Sequence, residues 1–132
     1  MKTVERSVSS ITTPDLLEVF EIPDLLEHLK QKDDWMNEKS SSLTLHKDGK
    51  MSIVLVAMRG SASIGEHRAQ GPITVQVVEG RLRVNTDKES VNVGQNEIVT
   101  LPAGLKHSLD ALEDCGFLLT FGSGHSYFEA AR

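Results

Sequence analysis

Cysteine, aromatics and long apolar runs are scarce in this chain of 132 residues, which has one cysteine, one tryptophan and one tyrosine. Cys115 stands alone, so no intrachain disulfide can form, and a single cysteine among apolar neighbours suits a reducing compartment. The fold must rest on a packed core, which a chain of this length can build without covalent staples. No window reaches the length of a membrane span. Met1-Lys2-Thr3-Val4-Glu5-Arg6-Ser7 has no apolar run behind it, so neither a signal peptide nor an anchor is read there. Lys and Arg are scattered, with no basic run and no interleaved aromatics. The net charge of −5 argues against a polyanion-binding surface. Also absent are a Ser-His-Asp order, a phosphate loop and a zinc-protease helix. The expectation is one cytoplasmic globular domain that binds neither nucleic acid nor membrane.

What is present changes character near residue 40. Residues 1–13 are polar and rich in Ser and Thr, and read either as loosely ordered or as a strand lent to a partner. Pro14-Asp-Leu-Leu-Glu18 is repeated as Pro23-Asp-Leu-Leu-Glu27. Thr13 before Pro14 signals a helix start, and the second copy is the better helix. There Leu25, Leu26 and Leu29 share one face, while Glu27, Lys30 and Gln31 face out. Trp35 is expected to plug one end of a barrel. From Leu43 the apolar period becomes two, and Asp48-Gly49 marks a hairpin turn. Met51 to Met58 is nearly continuously apolar, which predicts a strand covered on both faces. Further strands are read at Ile73–Val78, Arg81–Val84, Val91–Val93, Ile98–Leu101, from His107, and at Phe117–Phe121. About eight to ten short strands with regular turns predict an all-β barrel or sandwich. The divisions are a helical extension over 1–39, a barrel over 40–125 and a tail over 126–132.

Two motifs frame the barrel. The first runs from Gly60 to Gly80 and contains Glu66, His67 and Gly71-Pro72. The second is Pro102-Ala-Gly104-Leu-Lys-His107. Together they resemble the paired motifs of the cupin superfamily over about residues 43–121. The resemblance implies a jelly-roll β-barrel, or double-stranded β-helix, with a short N-terminal helical segment. Metal-bearing cupins commonly use three histidines and a glutamate. One spacing of the first motif places Glu66, Arg68 and Ile73 at the ligand positions. The other places His67, Ala69 and Ile73 there. Both alignments remain open on the sequence. Arginine stays protonated and isoleucine has no lone pair, so only Glu66 or only His67 could ligate. His107 matches the ligand of the second motif. Asn96-Glu97 replaces that motif's usual glycine-aspartate, and Ala111 replaces its usual asparagine.

With at most two of four positions filled, a divalent transition metal on His67 and His107 would be weakly held. His46, His125 and Gln70 are the remaining candidates to complete a site. If Ile73 keeps the inward glutamate position, Ile73, Val75 and Val77 line the pocket with His107 and one of Glu66 or His67. Cys115 reads as buried rather than nucleophilic. Two function classes follow. The first is a module that binds a small molecule in the barrel without a tightly held metal. The second is a metal-dependent or histidine-based enzyme of oxygenase, isomerase or epimerase type. A homodimer is also expected, because both faces of Ser52–Met58 are apolar and a partner could cover one of them.

Overall fold

The structure, a computed structural model, describes residues 16–122. The Pro14 helix start, residues 1–13, His125 and the C-terminal tail therefore lie outside the described residues. Residues 16–21 form no helix, and Leu17 is exposed. Helix α1 covers Ile22–Leu29, with Pro23 near its start and Asp24 in its first turn. Helix α2 covers Asp33–Glu38 and ends at Lys39, whose left-handed backbone (φ 69°) turns the chain into the first strand.

Among the described residues nine strands follow: β1 Ser40–Lys47, β2 Met51–Met58, β3 Ser63–His67, β4 Ile73–Glu79, β5 Arg81–Asn85, β6 Ser90–Gly94, β7 Ile98–Leu101, β8 His107–Ala111 and β9 Cys115–Gly122. They form two sheets, β1-β2-β9-β4-β7 and β3-β8-β5-β6, with every pairing antiparallel. The inner faces meet in one apolar cluster built from Val54, Val56, Met58, Val75, Val77, Leu82, Leu109, Phe117, Leu119 and their neighbours. Alternation along β4 buries Ile73, Val75 and Val77 on this side and leaves Gln76 exposed.

A second cluster lies on the outer face of the larger sheet. Leu25, Leu26, Leu29 and Trp35 pack there against Leu43, Leu45, Leu55 and Ala57. Trp35 thus seals the helices to the sheet and does not plug a barrel end. The same layer covers the second apolar face of β2, so that face gives no argument for a second copy. Lys30 is half-buried rather than outward: its ammonium pairs with Glu79 of β4 and lies 6.0 Å from the Trp35 ring centre. Leu26 occupies the space above Gly116, where a Cβ would come within 2.5 Å of its Cδ2. Leu26→Ala should therefore lower stability by about 2–5 kcal/mol, as removal of a fully buried leucine does. Denaturant unfolding checks this, and a loss under 1 kcal/mol would mean that the helix is not docked there.

Turn chemistry holds the strands in place. Asn96 adopts a left-handed φ of 68°, which asparagine tolerates, and the Glu97 carboxylate accepts the Gly94 N–H at 2.8 Å. Asn96-Glu97 thereby builds a tight turn at the position of the expected glycine-aspartate. Gly104 (φ 79°) completes the turn before β8, and its N–H donates to the Ala69 carbonyl at 2.8 Å. That bond ties the second motif to the first.

Candidate functional site

His67 and His107 are directly paired across β3 and β8. Residues opposite each other on neighbouring strands share a face, and His107 shares its own with Leu109 and Ala111 of the inner cluster. Both imidazoles are therefore inside the barrel, 4% and 1% exposed, with ring centres 4.3 Å apart and planes inclined at 60°.

A β-bulge decides which first-motif residue points inward. Ile64 pairs with Leu109 and His67 with His107, so β3 spends one extra residue between them. Simple alternation from Ile64 would have turned Glu66 inward. The bulge turns His67 and Ala69 inward instead and leaves Glu66 and Arg68 exposed. Glu66 is thus corrected from a pocket residue to a surface one, with Lys106 Nζ 4.0 Å from its Oε1.

Both rings have the same tautomer for the same reason. Nδ1 of His67 lies 2.6 Å from the Gly65 carbonyl, and Nδ1 of His107 lies 2.9 Å from the Leu105 carbonyl. A carbonyl only accepts, so each Nδ1 carries the hydrogen and each Nε2 of the neutral ring keeps its lone pair. Burial holds both histidines below their ordinary pKa, although the carbonyl bonds oppose the shift; His67 adds a further lowering influence at His107. The sequence signal for these carbonyls is a shared spacing, with the acceptor two residues before each histidine.

The lowered values give a pH prediction. Below about pH 6.5 the unfolded chain takes up protons at these histidines while the folded barrel resists them. Stability is therefore fully present above that pH and falls as pH drops toward the folded values. The slope is at most about 1.4 kcal/mol per pH unit for each histidine. Urea unfolding between pH 7.5 and 5.5 should show the decline, and His107→Gln should reduce it. A flat profile would contradict the buried neutral pair.

Ile73, Val75 and Val77 turn inward as the strand period requires, yet they do not line an open cleft. Solvent barely reaches Ile73 and does not reach the two valines, which pack with Phe117, Leu119 and Phe121. The alternation of large side chains along β9 (Phe117, Leu119, Phe121) is the signal for this filling. An opening instead occurs at the seam between the edge strands β1 and β3. It is a cavity of about 190 Å³ lined by Asp34, Glu38, Ser40, Ser41, Ser42, Val56 and Ile64.

The donor set does not suit a tightly held metal ion. Ala69 and Ile73 occupy the other two ligand positions, and Arg68 is outside. His46 pairs with Ile53, which packs against the outer cluster, and its Nε2 lies 2.8 Å from Asp48 Oδ2. Gln70 is exposed. Among the described residues no group of three or more His, Cys, Asp or Glu side chains converges. Cys115 is fully buried, and burial pushes its thiol up to about 12, with the neighbouring carboxylates adding to the shift. It is therefore a core residue rather than a nucleophile. No helix among the described residues is long and apolar enough to cross a membrane.

The sequence matches no protein-family model and no curated protein. Solved structures do match. A conserved protein of unknown function from Streptococcus pyogenes is 22% identical, with a TM-score of 0.64, over 90% of this chain and 96% of that one. A cupin superfamily protein from Desulfitobacterium hafniense is 13% identical, with a TM-score of 0.67, over 86% and 94%. An uncharacterised protein with a double-stranded β-helix domain from Klebsiella pneumoniae is 13% identical, with a TM-score of 0.68, over 83% and 93%. At these identities the likeness is one of architecture, and it agrees with the strand order and the motif turns: the chain has the cupin fold.

Proposed function

We propose that this protein binds a small molecule inside its barrel, recognised by the His67–His107 pair, without a tightly held metal. The observation that supports this reading is the pair itself: two neutral imidazoles in ring contact, each locked with Nδ1 protonated. Apart from them, only Ser41 and Ser52 are buried polar residues among those described. Neutral imidazoles of this tautomer suit a ligand that donates hydrogen bonds from O–H or N–H groups. The β1/β3 seam is the proposed entrance, because its cavity reaches Val56 and Ile64 on the inner side. The two imidazoles cannot by themselves saturate a divalent ion, which favours direct recognition over metal-mediated binding.

The test is a thermal-shift screen of hydroxy acids, keto acids, sugars and flavonoids against tag-free protein in the presence of a chelator. A ligand should raise the melting midpoint by several degrees, and His107→Gln should abolish the shift. Stabilisation that appears only with a divalent ion, or that survives loss of His107, would overturn the reading.

A further inference from the structure

A second bulge turns Lys47, an exposed residue at the end of β1, to the side of the inner face. Along β1, Ser41, Leu43 and Leu45 are buried, and the two leucines pack toward the helices. Strict alternation would send Lys47 to that same outer face. But Thr44 pairs with Val54 and His46 with Ile53, so β1 spends two residues against one. Beyond this bulge Lys47 pairs with Ser52, which pairs in turn with Phe121, and Phe121 with Ile73. Phe121 and Ile73 belong to the inner cluster, so Lys47 and Ser52 stand on the inner face of the same row. Bulges recur where a side chain must be re-aimed. The hairpin beyond is fixed by Asp48, whose Oδ1 accepts the N–H groups of Lys50 and Met51 at 2.7 and 2.9 Å.

A cavity of about 40 Å³ opens at this place, lined by Thr44, Lys47, Ser52, Val54 and Phe121. It has room for about three heavy atoms, given that one water needs about 10–15 Å³ of such a cavity. Ser52 is 2% exposed, and its hydroxyl has no hydrogen-bond partner among the described residues. No carboxylate lines the cavity, and Lys47 has no ion-pair partner among the described residues. The polar lining is therefore two hydroxyls, each able to donate one hydrogen bond, and an ammonium able to donate three. A carboxylate is an acceptor-only group with several lone pairs, and it complements such a set.

We propose that Lys47, Ser52 and Thr44 form a carboxylate-binding subsite, and hence that the barrel's ligand is a small organic acid. This inference rests on the reading that the barrel binds a small molecule. Val54 and Phe121 would contact the apolar stem of the acid. Ile73 lies two strands from Ser52, roughly 10 Å at ordinary strand spacing, and packs with Phe121, which forms the floor of the subsite on its core side.

The experiment is an amide NMR titration of full-length protein with sodium acetate at constant ionic strength, with sodium chloride and acetamide as controls. Acetate should give saturable shifts at Thr44, Lys47 and Ser52, and neither control should. Lys47→Met should weaken acetate binding at least tenfold. Ser52→Ala, which removes a hydroxyl that holds no partner among the described residues and so keeps the fold, should weaken it several-fold. Non-saturable shifts, equal binding of acetamide, or affinity unchanged in both variants would overturn the subsite. The His107→Gln protein separates this inference from the function proposed above. Acetate shifts that persist there uphold the subsite even if the histidine reading fails. Their absence in the parent, beside histidine-dependent binding of another compound, overturns the subsite alone.

Discussion

Ala69→His combined with Ile73→Glu should make this barrel bind cobalt(II) or zinc at least a thousandfold more tightly, a gain of about 4 kcal/mol or more. His67, Ala69, Ile73 and His107 are all buried on inner faces, and Ala69 lies two residues beyond His67. The double substitution would raise the nitrogen and oxygen donors from two to four, the number a structural zinc site uses. Cobalt absorption and competition with a chelator would read the affinity, and near-ultraviolet circular dichroism would confirm the fold. Arg68→His with Ile73→Glu is the control. Arg68 is exposed, so that pair should gain little. If the control gained the tight site and the first variant did not, the inward residue of β3 would be Glu66 rather than His67.

Gly80→Ala should be among the most damaging single changes, at about 3 kcal/mol or more, because backbone strain and a steric clash add. Gly80 ends the first motif between β4 and β5 with φ 80°. A Cβ there would meet the Asp114 carbonyl oxygen at 2.2 Å and the Cα of Cys115 at 2.8 Å. Neither is the far end of a flexible side chain. The melting midpoint should fall by about 10 °C. Gly104→Ala also needs a left-handed φ but meets nothing within 4 Å, so it should lose only about 1–2 kcal/mol. Gly49→Ala, in open space without that φ, should stay within about 0.5 kcal/mol. Equal losses at Gly80 and Gly104 would show that the close approach of β9 is wrong.

The parts of this molecule that obey a period could be read from its residues. The alternation of Ile73, Val75 and Val77, the leucine face of α1 and the Asp48-Gly49 turn are local properties, and the structure places them as expected. What escaped is what a period cannot carry. The bulges in β1 and β3 each add one residue and reverse the faces beyond them, and neither leaves a compositional mark. For that reason spacing does not separate Glu66 from His67, and nothing in the pattern singles out Lys47. Trp35 lies away from the expected barrel end for a different reason. An apolar strand shows that both its faces are covered but not what covers the second, and here α1 and α2 do so. The filling of the barrel by Phe117 and Phe121 is likewise a matter of volume, which strand patterning does not record.

The most direct test of the proposal that the histidine pair works without a metal is long-range nitrogen NMR of the imidazole rings in tag-free protein as purified, before and after chelation. The account predicts protonated Nδ1 and unprotonated Nε2 in both His67 and His107 at neutral pH, with spectra unchanged by the chelator. Metal-shifted Nε2 signals that revert on chelation, or a protonated Nε2 in either ring, would contradict it.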